Sequence, residues 1–174
     1  MTDSQTLGTI GLALIAIVLI IVDIMVVRFV VRGAPYIPTK PEGVEKMLAL
    51  IDVQPGMKAV DIGSGDGRIV IALAQAGMEA DGYEVNPLLV WISRRNIQRA
   101  GLEQKAKIHQ VDLWKADLSQ YNVITLFGVG YIMRALEKKL RRELKPGSQI
   151  ISLGFKFPTW QYREKNGSLY TYRV

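Results

Sequence analysis

The chain contains no cysteine and a single histidine, His109. The first absence removes disulfides, thiolate metal ligands and cysteine nucleophiles, so redox chemistry says nothing about compartment. The second removes a histidine-rich metal cluster. His109 lies in the strand-like stretch Lys107 to Val111 and reads as an ordinary strand residue, and no metal is expected. There is no internal repeat and no low-complexity tract. No lysine or arginine precedes Arg28. A cleavable signal peptide would carry a basic n-region and a shorter apolar run, so that reading is disfavoured.

Charge is also missing from Gly8 to Val22, where Thr9 is the one polar side chain. The apolar run resumes after Asp23 as Ile24-Met25-Val26-Val27. Twenty helical residues rise about 30 Å, the thickness of a hydrocarbon core. Leu7 to Val31 is therefore expected to form one uncleaved transmembrane helix, with residues 1–34 as an anchor and the lipid bilayer as a partner. Asp23 costs a few kcal/mol at mid-bilayer, and near the helix end it can reach the interface or pair with Arg28. Arg28, Arg32 and Lys40 follow the span. The positive-inside rule then puts the C-terminal domain on the cytoplasmic side, or the matrix side in an organelle.

The net charge of +6 belongs to the rest of the chain. Basic residues cluster at Arg94, Arg95, Arg99, Lys105 and Lys107, and again at Lys138, Lys139, Arg141, Arg142 and Lys145. Such faces suit anionic headgroups, at roughly 1 kcal/mol per contacting residue. They also suit RNA, and they are equally consistent with plain solvated helix faces.

The most informative stretch is Val60-Asp61-Ile62-Gly63-Ser64-Gly65-Asp66-Gly67-Arg68. It reads as a buried strand running into three glycines spaced two apart, followed directly by a helix pattern, Arg68 to Ala76. Such a unit brings a ligand close to the backbone at a helix N-terminus, where free N–H groups point outward. The dinucleotide fingerprint is Gly-x-Gly-x-x-Gly. The tighter Gly-x-Gly-x-Gly, with Asp61 two residues ahead, resembles the cofactor loop of class I S-adenosylmethionine-dependent methyltransferases. The alternative is a structural turn. Glu84 closes the next expected strand. An acid about 20 residues past such a loop typically accepts from both ribose hydroxyls, although a helix-capping role before Asn86-Pro87 is open to it too. Asp112, after the third strand, can accept from an adenine amine, with Leu113 or Trp114 lining the base.

A proline-stiffened linker, Gly33 to Pro41, leads to a helix expected over Glu42 to Asp52, so that residues 35–56 precede the domain at 57–174. Strands are then expected at Met57–Ile62, Glu79–Glu84, Lys107–Val111, Asn122–Phe127 and Gln149–Leu153. Helices alternate with them at Arg68–Ala76, Leu88–Ala100 and Ile132–Leu144, which demands a parallel sheet with right-handed crossovers. Trp160–Lys165 and Ser168–Val174, around Asn166-Gly167, read as a hairpin. The expected fold is α/β: a seven-stranded Rossmann-like class I methyltransferase sheet with a C-terminal antiparallel hairpin, preceded by one transmembrane helix.

Several phrases resemble one family in order: Asp61 to Arg68, Gly82-Tyr83-Glu84-Val85-Asn86-Pro87, Asp112-Leu113-Trp114, Tyr121-Asn122-Val123, Phe127-Gly128-Val129, Leu136 to Leu140, and Phe157-Pro158-Thr159-Trp160. Together they are similar to the protein-lysine methyltransferases that act on the ATP synthase c subunit and the adenine nucleotide translocase. The similarity runs from about Tyr36 to Val174, and an N-terminal hydrophobic segment is also a family trait. The resemblance implies S-adenosyl-L-methionine as cofactor. Asp61, Gly63, Gly65 and Gly67 would hold its methionine end, Glu84 its ribose and Asp112 its adenine, and Ser64 and Leu113 are counted with them as cofactor-binding residues. Tyr36-Ile37-Pro38 would cover the cofactor and shape lysine entry. Two departures stand out: Leu88 replaces an expected aromatic, and the segment around Phe157-Pro158 is short. No Asn/Asp-Pro-Pro-Tyr/Phe follows the fourth strand, which argues against adenine-N6 or glutamine methylation.

In-line methyl transfer depends mainly on positioning and desolvation. The absence of an obvious general base therefore does not count against a lysine acceptor. Tyr36, Tyr131 and Trp160 are the lysine-channel candidates, with ordinary packing as the alternative for each. The leading expectation is a membrane-anchored lysine methyltransferase whose partner is a membrane-protein lysine. The others are a methyltransferase for RNA or a small-molecule or lipid substrate, and a cofactor-binding membrane scaffold without turnover.

Overall fold

A computed structural model describes residues 10–21, 23 and 36–174. The chain divides into two units, residues 1–35 and 36–174. In the first, residues 10–21 are helical and their apolar side chains are exposed, among them Leu12 and Leu19. Among the described residues no helix is long and apolar enough to cross a membrane. The expected span, Leu7 to Val31, extends well beyond the described residues on both sides.

The second unit alternates strand and helix: α1 Pro41–Ala49, β1 Lys58–Ile62, α2 Arg68–Gln75, β2 Glu79–Glu84, α3 Pro87–Arg99, β3 Ala106–Gln110, β4 Val123–Phe127, α4 Met133–Glu143, β5 Gln149–Leu153, β6 Glu164–Asn166 and β7 Leu169–Arg173. One seven-stranded sheet runs in the order β3-β2-β1-β4-β5-β7-β6. The pairs from β3 to β5 are parallel, and β7 is antiparallel to both β5 and β6. The order reverses between β1 and β4, so the loops after those strands diverge and leave a crevice at the carboxyl edge.

Side chains alternate across the pleat and feed two cores. On one face Ala59, Val123 and Ile151 meet Met47 of α1, Leu73 of α2 and Val90 of α3. On the other, Val60, Ile124 and Ile150 meet Leu136 and Leu140 of α4, together with Phe157, Trp160 and Tyr172. Apolar residues on both faces explain why these strands read as nearly continuous hydrophobic runs.

Strands β2 and β5 have the expected bounds, most other ends differ by one residue, and three differences have a clear physical reason. Helix α1 ends at Ala49 rather than Asp52, because Leu50 and Ile51 close a tight turn onto Met47 and Leu48, and the Asp52 amide donates to Gln149 Oε1 at 3.0 Å. Strand β6 has three residues, since Trp160 turns inward to Phe157 and Tyr172 instead of running along the sheet. Asn166 pairs with Leu169, so the hairpin turn is Gly167-Ser168, one residue later than expected.

Candidate functional site

The loop after β1 hangs from the neighbouring strand. Gly63 and Ser64 amides donate to the Tyr83 carbonyl at 2.8 and 3.1 Å, and Gly67 N–H closes back on the Ser64 carbonyl at 2.9 Å. The three glycines serve different needs. Gly63 has φ +76°, and a Cβ there would meet open space within 4 Å, at the crevice. Gly65 lies under the Tyr36 ring, where an added Cβ would be 2.6 Å from Cε2. Gly67 has φ +84° and caps α2, and a Cβ there would lie 2.9 Å from Ser93 Cβ of α3. One glycine leaves room for a ligand, one for a covering aromatic and one for helix packing.

Glu84, buried at the end of β2, receives three backbone amides: Gly65 on Oε2 at 3.0 Å, and Val85 and Asn86 on Oε1 at 2.8 and 2.9 Å. A carboxylate has about four acceptor sites, so this one keeps capacity for a hydroxyl donor. Asp61 faces Thr125 across β1 and β4 and accepts its hydroxyl at 2.7 Å. Burial pushes the Asp61 carboxyl up to about 7 against that hydrogen bond, and the negative charges of Glu84 and Asp66 add to the rise. Ser64 Oγ is buried and has no hydrogen-bond partner among the described residues. It sits under the loop against β2, where an added Cβ at Gly82 would lie 2.7 Å from it.

Residues 36–40 are tied over this loop. Arg68 grips Asp66 with Nε and Nη2, at 2.9 Å to Oδ1 and 2.7 Å to Oδ2, and donates Nη1 to the Thr39 carbonyl at 2.7 Å. Burial works against the Asp66 charge, but the Arg68 hydrogen bonds and charge hold its carboxyl below the usual range. Burial and the Asp66 charge raise the Tyr36 phenol. Asp112 lies exposed just beyond β3. Its Oδ1 accepts the Trp114 amide at 3.0 Å and its carbonyl accepts from Lys115 and Ala116, making a tight turn. Leu113 is half-buried against the second core.

On the β4 side, Tyr131 is 71 % exposed. Trp160 is placed elsewhere: 9 % exposed, it packs with Phe157 and Tyr172 under the Arg141 guanidinium, 4.2 Å from its ring. The structure brings Asp61, Gly63, Ser64, Gly65, Glu84 and Tyr36 together, sets Asp112, Leu113 and Tyr131 on neighbouring loops of the same edge, and seats Trp160 in the core.

Three features were not legible in the sequence. Phe155, after β5, lies against the Gly128 turn, where an added Cβ would be 2.9 Å from Phe155 Cβ. Glu137 of α4 is buried and accepts from Thr159 N and Oγ1 and from Arg141 Nε, fixing the segment that follows Phe155. Burial opposes the Glu137 charge, and those donors outweigh it and lower its carboxyl. His109 also has a specific partner, Asp81 at 2.8 Å, and Asp81 in turn accepts from Tyr121 at 2.7 Å. Asp81 and Tyr121 recommend themselves by no local pattern, because their contact spans forty positions of sequence.

A profile of the ANTKMT methyltransferase domain matches residues 61–164. The chain is 42% identical over 153 residues to the lysine N-methyltransferase of the ATP synthase c subunit from Rattus norvegicus, covering 88% of this chain and 70% of that protein. It is 42% identical over 128 residues to the adenine nucleotide translocase lysine N-methyltransferase of Mus musculus, covering 73% of this chain and 56% of that one. Among solved structures it is similar to an RNA methyltransferase from Salinibacter ruber in complex with S-adenosyl-L-homocysteine. The TM-score is 0.76 and the identity 33%, over 79% of this chain and 94% of that one.

Proposed function

This chain belongs to the ANTKMT methyltransferase-domain family, and from that premise we propose that it methylates a protein lysine, using S-adenosyl-L-methionine, at the carboxyl edge of its sheet. The observation that carries this is the constellation of Asp61, Gly63, Ser64, Gly65 and Glu84 around the crevice between β1 and β4. The relatives named above supply the acceptor class. The residues fit the cofactor: Gly63 leaves backbone open to it, and Glu84 retains acceptor capacity. Asp61 and the glycine loop would hold the methionine end, Glu84 the ribose, and Asp112 with Leu113 the adenine. The bound group supplies an electrophilic methyl on a sulfonium.

The chain's own part is to position and to desolvate. Tyr36, held over Gly65 while Arg68 pins Thr39, covers the loop and excludes water from it. Tyr131 and Phe155 offer aromatic walls on the β4 and β5 side. A lysine amine has a reference pKa of about 10.4 and must attack as the neutral amine. Apolar walls favour that form by withholding solvation from the ammonium, so a dedicated base is not required.

The acceptor in this reading is a lysine close to the membrane interface, with the ATP synthase c subunit the leading choice. Residues 1–34 would serve as a single-pass anchor, with the catalytic domain on the cytoplasmic side, or the matrix side in an organelle. The long charge-free run in the sequence supports the anchor. A second reading, methyl transfer to RNA, is supported by the basic surface and by the Salinibacter relative. Incubating the purified chain with methyl-labelled cofactor and host membranes, then hydrolysing the products, separates the two. Label in methyl-lysine of a small membrane protein supports the proposal, and label in nucleotides with none in lysine replaces it.

A further inference from the structure

Apart from Val53, every large apolar side chain exposed within residues 36–174 lies on a loop or helix start at the carboxyl edge of the sheet. Tyr36 and Val85 flank the glycine loop and Glu84 and belong to the site already described. The others are Ile37, Leu88, Trp91 and Trp114, together with Tyr131 and Phe155, which also wall the acceptor side of that site. They come from separate segments: the strap before α1, the first turns of α3, and the loops after β3, β4 and β5. No single element's packing accounts for them. Scattered exposed apolar residues are normal on a folded chain, whereas their collection along one edge marks a contact surface.

The chemistry of this rim distinguishes a bilayer from a protein partner. Arg95, Lys115, Arg134 and Lys156 are exposed on the same segments, against the acids Asp112 and Asp117. The Arg95 guanidinium lies 5.0 Å over the Trp91 ring, so an indole and a cation are displayed together. Tryptophan and tyrosine with neighbouring basic groups suit the headgroup level of a membrane, where apolar bodies sit in the acyl boundary and charges meet anionic lipids. A cationic rim attracts an anionic lipid surface. The helical residues 10–21, with their exposed apolar side chains, lie a short stretch earlier in the same chain.

We propose that residues 36–174 dock on an anionic phospholipid bilayer through this rim, with the carboxyl edge of the sheet facing the headgroups. An acceptor side chain at headgroup level then meets the mouth of the site without leaving the interface. This rests on the proposed function only in taking that mouth as the reacting site.

The three tryptophans make the test. Trp91 and Trp114 are 55 % and 44 % exposed on the rim, whereas Trp160 is 9 % exposed in the core. The full chain is bound to vesicles of phosphatidylcholine and phosphatidylglycerol with bromine carried high on the acyl chains, and tryptophan emission is read. Docking through the rim gives strong quenching in the wild type and loss of most of it in W91F/W114F, where only buried Trp160 remains. Equal fractional quenching in both proteins, or membrane-bound protein without quenching, overturns the proposal. So does a rim unquenched by lipid but shielded from aqueous acrylamide once an acceptor membrane protein is reconstituted, which assigns the surface to protein. S-adenosylhomocysteine binding, titrated on the same samples, reports the cofactor site separately. Retained binding with an undocked rim removes this inference and leaves the enzymatic reading standing.

Discussion

The Thr125 hydroxyl donates to Asp61 Oδ1 at 2.7 Å, across paired positions of the two strands between which the sheet order reverses. It favours the charged form of a carboxylate that burial has pushed up to about 7. A partly protonated acid at the crevice makes cofactor binding pH-dependent. An incoming ammonium draws Asp61 into its ionised form, so binding releases a proton, and affinity falls about tenfold per unit below pH 7. Calorimetry with S-adenosylhomocysteine in buffers of different ionisation enthalpy measures that release. T125V raises the Asp61 carboxyl further, and its affinity, weakened at pH 7, recovers toward pH 9. Stability moves the opposite way. The folded pKa lies above the ordinary value, so Asp61's contribution is fully present below about pH 4 and is lost as pH rises through about 7. Proton-neutral binding at pH 6.5 contradicts this account of Asp61.

The glycines separate binding from folding. G67A places a Cβ 2.9 Å from Ser93 Cβ at φ +84° and is expected to cost about 2–4 kcal/mol in denaturant unfolding. G63A keeps open space around its Cβ, so it costs only the left-handed backbone strain, about 1–2 kcal/mol. Yet it is expected to weaken S-adenosylhomocysteine at least as strongly as G67A. Full affinity in G63A shows that the ligand does not approach that backbone.

Glu137 anchors the segment after Phe155 through Thr159. E137A leaves those donors unpaired in a buried site and is expected to cost roughly 2–3 kcal/mol at pH 7. Its carboxyl is lowered in the folded chain, so its contribution is present above the ordinary glutamate pKa and lost as pH falls through the folded value. The E137A deficit therefore shrinks in acid. Methyl transfer is expected to fall more than cofactor affinity, since the disturbed segment lies on the acceptor side. A matched loss of both places Glu137 in the cofactor site instead.

Deleting residues 1–33 leaves the unit that begins at Tyr36, and it is expected to keep cofactor affinity. Methylation of a membrane-embedded acceptor is expected to fall roughly tenfold or more, because tethering raises effective concentration at the bilayer. Undiminished turnover on such an acceptor gives the N-terminal segment another role.

Much of this was legible in the sequence, for local reasons. Strands β2 and β5 have the expected bounds for different reasons: β5 is a short apolar run ended by Gly154, whereas β2, which carries Glu79 and Asp81, is delimited by the turn at Gly77 and by Glu84 ahead of Asn86-Pro87. The Asp61 to Gly67 loop announces itself because strand, glycine and helix signals sit within nine residues. What escaped depends on contacts between distant segments. The Tyr36 ring over Gly65, Phe155 against Gly128, and Glu137 holding Thr159 each join separate segments, and no period or propensity encodes them. Trp160 reads as a channel aromatic from its neighbourhood, yet Arg141, one helix away, covers it. The turn at Gly167-Ser168 is one residue late because the Asn166↔Leu169 pairing, set by β7 against β5, overrides the preference for Asn-Gly.

Calorimetric titration of S-adenosylhomocysteine and of NAD into the full chain, wild type and E84Q, tests most directly that this edge is an adenosylmethionine site. The expected result is saturable binding of S-adenosylhomocysteine by the wild type, no measurable NAD binding, and a loss of at least about tenfold in E84Q, which cannot offer two carboxylate acceptors. Preference for NAD, or unchanged S-adenosylhomocysteine affinity in E84Q, contradicts it.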